Sequence, residues 1–364
     1  MNIIHELGQL EYGGVEKVIR NIIKFDKENE HKIITYKDGP FRKELEAIGA
    51  EVVFMPKEGT ADINADIIHI HSGGALSEMG MSLGKNFSII ETIHSPVRSP
   101  MPKNVIAQRV GVTEAVSKMN ENCITIHNGI DLGSLIGTRT KEEVRAELGI
   151  DKAAMVIGRL GRIGKDKCME EWILACYHLQ KKGHNIVPVI VGSEAQGLDG
   201  YIGKLKLMAA SLPVKDIIWV GHKDDVENYL QIMDIFLYPS PTEGFGLVFA
   251  EAMLAGCTVV TYKNDITMEL FGGYSILTDK SLEGLVAGAI KAMDINVRDA
   301  IVPIAQEWVE EQYSAERMAT EYQDLYKKFA KEKECICGHG HINDDGTKVI
   351  SHLDLPEDIL KKGK

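Results

Sequence analysis

The stretch PSPTEGFGLVFAEAMLAG, residues 239–256, joins a turn rich in proline and glycine to an apolar helical pattern. Its two carboxylates have different settings, because Glu243 falls in the turn and Glu251 falls alone among Leu, Val, Phe, Ala and Met. A carboxylate on a helix that is apolar on every side is costly unless hydrogen bonds satisfy it. The hydroxyls of a sugar or a ribose would satisfy Glu251, and so would backbone amides or an arginine of the protein itself.

Gly244 and Gly246 stand between the two carboxylates and allow close backbone approach or a positive φ. The apolar run DIFLYPS, residues 234–240, precedes them and is typical of a buried strand. Free amides at the start of the following helix, together with the helix dipole, favour a bound anion. The stretch therefore predicts a strand–turn–helix unit that holds an anion next to a polyol.

Short apolar runs alternate with helical patterns on both sides of this unit, along nearly the whole chain. Such alternation is typical of the α/β class, with parallel sheets covered by helices on both faces. A glycine-rich, charged segment at 127–151 interrupts it, and 364 residues suit two domains. We therefore predict two Rossmann-like, doubly wound domains facing a central cleft, with the ligand loops at the strand ends. The predicted bounds are 1–135 for the first domain, 136–151 for a linker, 152–310 for the second domain, 311–333 for a helix that could cross back to the first domain, and 334–364 for a polar tail.

The formal net charge is −12, from 41 basic and 53 acidic residues. This balance disfavours non-specific binding to nucleic acid or to an anionic membrane. The sequence has no apolar run of about 18 residues and no secretion signal at its start, so we expect a cytoplasmic protein, at most peripheral to a membrane. We also expect reduced thiols. Four of them stand among apolar neighbours and are predicted to be buried: Cys123, Cys168, Cys176 and Cys257.

Two further segments place glycines or cations between a strand and a helix. Residues 158–175, GRLGRIGKDKCMEEWILA, carry several cations between a strand and a helix. Arginine and lysine at a strand end suit a diphosphate. The alternative is a solvated basic loop. Residues 7–22, LGQLEYGGVEKVIRNI, open a helix at Gly13 and Gly14. Their amides could approach a phosphate or an acceptor, or form a plain tight turn. The pattern is not G-x-G-x-x-G, which weakens a nicotinamide-dehydrogenase interpretation.

Histidines and cysteines supply the remaining candidates. His69 and His71 alternate in DIIHIHSGG, and His94 ends a strand in ETIHSP. A histidine at a strand end either packs in the core or lines a site. Four potential zinc ligands in the tail have a spacing unlike the usual knuckle, so they form either a metal site or a flexible segment: Cys335, Cys337, His339 and His341.

The residues PSPTEGFGLVFAEAMLAGCTVVT, 239–261, resemble the donor site of the retaining glycosyltransferases of family four, which have the GT-B fold. The resemblance covers roughly residues 2–330. In that family the first glutamate and the adjacent backbone contact the transferred sugar, and the second glutamate binds the nucleotide ribose. The resemblance therefore implies these roles for Glu243 and Glu251.

The same resemblance assigns further residues. It implies that Lys167 and Arg162 bind the donor diphosphate, with Arg159 as the alternative to Arg162. Cys168 stands where the family usually has glycine. His94 matches a T-x-H motif near the reacting centre. The remaining implied donor-site positions are Gly13 and Gly14, then Gly244, Phe245, Gly246 and Leu247, and, for the base, Gly221 and His222.

The implied reaction moves a sugar from a nucleotide-diphosphate donor to a hydroxyl acceptor on a glycan, a lipid carrier or a small molecule, with retention of the anomeric configuration. We expect no divalent metal, because no Asp-x-Asp pair stands at a suitable strand end and cations already take the phosphate role. The alternatives are a sugar phosphorylase or nucleotide-sugar epimerase of the same fold, a non-catalytic nucleotide-sugar-binding subunit, and a nicotinamide oxidoreductase.

Overall fold

A computed structural model describes residues 1–54, 61–71, 87–195, 197–212, 217–330, 341–342 and 348–350. The chain forms two compact units. One contains Met1–Gly129 together with a helix that begins at Ala315, and the other is Ile130–Ser314. No helix within the described ranges is both long and apolar enough to cross a membrane.

The first unit is built on a parallel sheet whose central strands are largely buried, as expected for strands covered on both faces. Its strands are β1 (Asn2–Gln9), β2 (Glu30–Lys37), β3 (Glu51–Phe54), β5 (Ile67–Ile70), β6 (Ser88–Ile93), β7 (Gln108–Gly111) and β8 (Cys123–Thr125). They lie in the order β3-β2-β1-β5-β6-β7-β8. The chain therefore starts in the middle of the sheet and changes direction between β1 and β5, which makes that position the topological switch point.

Helices and a small second sheet complete this unit. The helices are α1 (Gly14–Phe25), α2 (Arg42–Ala47), α3 (Glu114–Lys118) and, far along the chain, α12 (Ala315–Phe329). A separate antiparallel sheet joins β4 (Ala61–Ile63), β15 (His341–Ile342) and β16 (Lys348–Ile350). Two of its strands lie within the predicted polar tail, whereas Cys335, Cys337 and His339 lie outside the described residues.

The second unit repeats the doubly wound plan with a six-stranded parallel sheet in the order β11-β10-β9-β12-β13-β14. Its strands are β9 (Met155–Leu160), β10 (Ile186–Val191), β11 (Ile218–Gly221), β12 (Ile235–Tyr238), β13 (Thr258–Tyr262) and β14 (Ile276–Thr278). The switch point lies between β9 and β12. Its helices are α4 (Lys141–Glu147), α5 (Met169–Lys181), α6 (Tyr201–Ser211), α7 (Val226–Leu230), α8 (Leu247–Leu254), α9 (Asp265–Phe271), α10 (Leu282–Met293) and α11 (Ile295–Gln312).

Two expectations from the sequence are wrong. The helical pattern of the sequence from about 297 to 333 predicts one long helix, but the structure has two, because α11 ends at Gln312 and α12 begins at Ala315. Tyr313 fixes the break: its carbonyl accepts a hydrogen bond from the Ile130 amide at 2.7 Å, and its hydroxyl donates to the Leu270 carbonyl at 3.0 Å.

The second error concerns the thiols. Cys176 and Cys257 are buried as predicted, but Cys123 and Cys168 are only half-buried. Cys123 begins β8, the last strand at one edge of its sheet, and Cys168 stands in the turn before α5. All four are free cysteines.

Candidate functional site

The turn between β12 and α8 requires glycine at one position. Gly246 has φ of 85° and precedes the first residue of α8. A Cβ atom at this residue would come within 2.5 Å of the Phe249 ring, so a larger side chain is excluded by space as well as by conformation. The first amides of a helix have no partner within it and attract anions. The turn is therefore shaped to hold an anion at the start of α8.

The residues around Gly246 divide into backbone and side-chain candidates. Phe245 is 3% exposed, and its ring packs against Phe271 and Tyr313. Its side chain belongs to the core, so only its backbone is suited to contact a ligand. Glu251 is 4% exposed within α8, where most of its neighbours are buried apolar residues. The structure thus places this carboxylate in the apolar helix that the sequence predicts.

Lys167 and Glu243 form an ion pair at the switch point of the second sheet. The Lys167 Nζ atom lies 2.7 Å from Glu243 Oε1, and the side chains are 16% and 12% exposed. Burial lowers the pKa of Lys167, but nearby Tyr238 and Glu243 outweigh that effect and raise the pKa above its ordinary value. A fully charged lysine therefore stands at the carboxyl ends of β9 and β12, where doubly wound sheets bind ligands.

Asp166 extends this pair into a row of alternating charges. Its Oδ2 atom lies 2.8 Å from Arg162 Nη2 and 3.9 Å from Lys167 Nζ. The Arg162 side chain is 52% exposed. Arg162 therefore stands at the outer end of the row, with Asp166 between it and Lys167.

Arg159 is the buried arginine of the same loop region. It is fully buried at the end of β9, and its guanidinium lies 4.7 Å from the centre of the Tyr238 ring. Its Nη1 atom donates to the Lys167 carbonyl at 3.0 Å, whereas Nε and Nη2 have no hydrogen-bond partner among the described residues. Burial lowers the pKa of Arg159, and Tyr238 and Glu243 partly oppose this. Buried polar nitrogens without a partner call for a ligand that accepts hydrogen bonds.

Cys168 adopts a left-handed conformation, with φ of 45° and ψ of 51°, directly before α5. Residues with a Cβ atom rarely take this conformation, whereas glycine takes it freely. This explains in physical terms why glycine is usual at this position in the family that the sequence resembles. The conformation also turns the chain so that Lys167 precedes a helix start.

In the first unit, the paired glycines stand at the start of α1. Gly13 has an extended backbone, with φ of −150°, and precedes the first helical residue, Gly14. A Cβ atom at Gly13 would come within 2.4 Å of Glu16 Oε2, so the Glu16 carboxyl folds back over it. Burial raises the pKa of Glu16 to about 7. Because an acid already occupies this helix start, the site favours a hydroxyl over a phosphate.

The remaining candidates are a histidine of the first unit and a strand end of the second. His94 follows β6 and is half-buried; burial lowers its pKa to about 4, so the ring is neutral at pH 7. Gly221 ends β11 with φ of 84°, and its carbonyl accepts a hydrogen bond from the Gly192 amide at 2.8 Å. His222 is largely exposed, with Nε2 3.2 Å from Asp224 Oδ1.

The structure groups the predicted residues by unit. Lys167, Glu243, Gly244, Gly246 and Glu251 belong to the second unit, whereas Gly13, Gly14 and His94 belong to the first. The sequence alone favours Arg162 over Arg159 as the arginine that binds the diphosphate. The signal that favours Arg159 is its place in the strand itself, since GRL directly follows the apolar run AAMVI.

Comparison with known proteins decides the class. Residues 140–318 match the family described as glycosyl transferases group 1. This match spans most of the second unit. The O-antigen biosynthesis glycosyltransferase WclY of Escherichia coli is 25% identical over 210 residues, which is 57% of this chain and 56% of WclY. The capsular polysaccharide biosynthesis glycosyltransferase CapM of Staphylococcus aureus is 27% identical over 183 residues, 49% of this chain and 47% of CapM. The chain thus matches about half the length of these two relatives.

The solved structures match the fold of about nine tenths of the chain. The crystal structure of HepE from Anabaena, in complex with UDP and glucose, superposes with a TM-score of 0.78 and 18% identity, covering 89% of this chain and 99% of that one. The crystal structure of a glycosyltransferase from Rickettsia africae superposes with a TM-score of 0.76 and 17% identity. The match covers 91% of this chain and 99% of that one. The predicted α/β class and GT-B fold are confirmed. The named relatives are glycosyltransferases, so the phosphorylase and epimerase alternatives are not favoured.

Proposed function

We propose that the protein is a retaining glycosyltransferase that moves a sugar from a nucleotide-diphosphate donor to a hydroxyl acceptor. The observation that carries this proposal is the partly buried Lys167–Glu243 pair, whose Glu243 stands in the turn that leads to the glycine-opened start of α8. A cation and free helix amides suit a diphosphate, and a carboxylate suits sugar hydroxyls. These groups occur together at the switch point of one sheet.

The leaving diphosphate gains negative charge as its bond to the anomeric carbon breaks. In this proposal Lys167 and the first amides of α8 stabilise that charge, and Glu243 holds Lys167 in place while it contacts the sugar. Preorganised donors of this kind are each worth about 10²–10³ in rate. An arginine contributes too: the sequence favours Arg162, and the buried nitrogens of Arg159 favour Arg159. Glu251 binds the ribose hydroxyls.

Retention is a proposal about the direction of attack. The acceptor oxygen forms its bond to the anomeric carbon on the face from which the diphosphate departs, and the carbon–oxygen bond to the phosphate breaks. The acceptor proton passes late to the departing phosphate oxygen. No divalent metal takes part in this scheme, because cations of the chain neutralise the diphosphate.

The acceptor is a hydroxyl compound, and we assign its binding to the first unit. Support comes from the start of α1, where the Glu16 carboxyl folds over Gly13 and suits a hydroxyl.

The relatives named above act in O-antigen and capsular polysaccharide biosynthesis, which supports carbohydrate biosynthesis as the setting. We propose that the protein acts in the cytoplasm, since its acidic balance disfavours lasting attachment to an anionic membrane.

A panel of UDP- and GDP-sugars tests the proposal. One donor should raise the unfolding temperature of the protein and be hydrolysed slowly without an acceptor. Proton NMR of the product made with an accepted hydroxyl compound should show the donor's anomeric configuration. An inverted product would refute retention, and the absence of both stabilisation and turnover with every donor would refute the function. Release of a sugar 1-phosphate with inorganic phosphate would instead indicate a phosphorylase.

A further inference from the structure

Three histidines converge on one face of the sheet in the first unit, at its switch point. His5 lies in β1 and His69 in β5, and the parallel register makes them direct neighbours. His71 follows β5, where its amide still donates to the Glu6 carbonyl at 3.2 Å, so it extends the pairing of the two strands. Because side chains alternate between the two faces of a strand, His71 shares the face of His69. The strand order therefore gathers three imidazoles where β1 and β5 meet.

The three rings are buried and closely grouped. His5 and His69 are fully buried, and His71 is 4% exposed. One nitrogen from each ring lies within 4.8 Å of the other two, and His5 Nδ1 lies 3.0 Å from His71 Nε2. Two imidazole nitrogens that each bind the same zinc ion at about 2.1 Å lie about 3.3 Å apart in a tetrahedral site. The grouping therefore suits a single ion bound by all three histidines.

Two of the rings are held from outside the group by further histidines. A histidine that binds metal through one nitrogen usually makes a hydrogen bond through the other, which orients the ring. His5 Nε2 lies 2.9 Å from His31 Nδ1, and His71 Nδ1 lies 3.2 Å from His94 Nε2. These contacts hold the rings in the orientation that directs His5 Nδ1 and His71 Nε2 toward each other.

The third ring, His69, has an oxygen partner at each nitrogen. Its Nδ1 lies 2.7 Å from the Tyr326 hydroxyl, and its Nε2 lies 2.7 Å from Thr92 Oγ1. Binding an ion replaces one of these contacts and leaves the other to orient the ring. Replacement on the Thr92 side leaves that hydroxyl with a partner, since Thr92 Oγ1 also lies 2.9 Å from the Tyr322 hydroxyl.

A buried carboxylate offsets part of the charge that a divalent ion brings to the core. Asp26 is 3% exposed, and its Oδ2 atom lies 3.1 Å from His31 Nε2. Burial alone would raise the pKa of Asp26, but contacts with His31, Asn29 and Gln323 outweigh it and hold the pKa well below its ordinary value. An ionised carboxylate therefore stands one ring away from His5. Burying a cation is costly without an opposite charge nearby, and Asp26 supplies that charge.

We propose that His5, His69 and His71 bind one zinc ion, which ties β1 to β5 at the switch point of the first sheet. Three histidines and one water form a known ligand set of zinc, and imidazole is a ligand that suits zinc. The ion stabilises the first unit and takes no part in sugar transfer, so it agrees with a diphosphate held by cations of the second unit. Because the three rings are buried, a chelator removes the ion slowly, and brief exposure to EDTA leaves it in place.

The metal content of wild type tests the proposal. The full chain is purified with a tag that lacks histidine, equilibrated with a small excess of Zn²⁺ and desalted. Elemental analysis should find one zinc ion per chain, and X-ray absorption at the zinc edge should show three imidazole ligands and no sulfur. Absence of stoichiometric zinc would overturn the proposal. Sulfur ligands would also overturn it, since they would assign the ion to Cys335 and Cys337 of the tail.

Matched variants identify the ligands. His71→Gln removes one of the three imidazoles and should lose the zinc. His178→Gln is the control, since His178 is a half-buried histidine of α5 in the second unit, and it should keep one zinc ion per chain. The double variant Cys335→Ser/Cys337→Ser should keep it too. Zinc that persists in His71→Gln, or that disappears with the two cysteines, would overturn the proposal.

Thermal unfolding tests the stabilising role. An ion that binds only the folded state raises the unfolding temperature, so Zn²⁺ added to metal-free wild type should raise Tm and should leave the Tm of His71→Gln unchanged. No shift in wild type, or an equal shift in both proteins, would overturn this role. If His71→Gln fails to fold, elemental analysis and X-ray absorption of wild type decide. None of these measurements needs a nucleotide sugar, so failure of every donor in the panel would remove the proposed function alone.

Discussion

Lys167 and Glu243 come from turns that follow neighbouring strands, and their charged atoms lie 2.7 Å apart although 76 positions separate them in sequence. The contact exists because β9 and β12 are neighbours across the switch point of the second sheet. Glu243 orients the Lys167 ammonium within the protein itself. An oriented lysine reduces the cost of ordering that side chain when a donor diphosphate binds.

Removal of the Lys167 ammonium should impair turnover. We expect Lys167→Ala to lower kcat by about 10²–10³, because the diphosphate loses a charged donor in the transition state. Lys165→Ala is the matched control, since Lys165 belongs to the same short turn, Lys165–Lys167, and is exposed. Steady-state kinetics with the best donor measure both. Equal effects of the two substitutions would mean that general positive charge, and not the ion pair with Glu243, matters.

The two arginines of the loop should differ in their effects. Arg159→Met removes a buried guanidinium and should lower kcat/KM at least tenfold, whereas Arg162→Met removes an exposed one and should change it little. Replacing a buried, partly satisfied charge by an apolar side chain of similar length costs little stability, so Tm should change only slightly. Kinetics and thermal unfolding check both variants. The reverse order of effects would assign the diphosphate to Arg162.

The contrast between the arginines shows where sequence reasoning reaches its limit. The strand–turn–helix unit around Gly246 follows from local chemistry, since glycine, an apolar strand and an apolar helix are all visible in the sequence. The choice between Arg159 and Arg162 depends on which side chain turns inward from a glycine-bearing loop, and spacing alone does not determine that. The contacts of His5 with His31 and His71 are less accessible still, because these residues meet only through the strand order β2-β1-β5.

Activity should persist without divalent metal. If lysine and arginine neutralise the diphosphate, an excess of EDTA should leave kcat within about twofold of its untreated value. Added Mg²⁺ or Mn²⁺ should then produce no further increase beyond that of matched ionic strength. Loss of activity in EDTA that a single divalent metal restores would contradict this prediction, and would direct attention to carboxylates near the donor.

The conformation of Cys168 predicts a stabilising substitution. Its φ of 45° places a residue with a Cβ atom in the left-handed region, which costs roughly 1–2 kcal/mol. Cys168→Gly should recover part of this cost, reduced by the greater flexibility of glycine in the unfolded chain, for a net gain of about 1 kcal/mol. Urea unfolding measures this gain in the free energy of unfolding. Cys168→Ala is the control and should bring no gain, because alanine keeps the Cβ atom; a gain of equal size would mean that the thiol, not the backbone, is unfavourable.

The buried carboxyl of Glu6 predicts how stability depends on pH. Glu6 is 2% exposed, and neither of its carboxyl oxygens has a hydrogen-bond partner among the described residues. Burial raises its pKa from 4.5 to about 8, so the folded state keeps the proton that the unfolded state loses. The stability linked to this proton is fully present below pH 4.5 and is lost as the pH rises toward 8.

Glu6→Gln removes this titration while keeping the shape of the side chain. Its free energy of unfolding, relative to wild type, should increase by about 1.4 kcal/mol for each pH unit between pH 5 and pH 8. Glu16, whose pKa is also raised, is present in both proteins and cancels in the difference. Urea unfolding at three pH values measures the slope, and Glu30→Gln, at an exposed position at the start of β2, should follow wild type. A difference that stays constant with pH would mean that Glu6 is ionised in the folded protein and that an unseen partner compensates its charge.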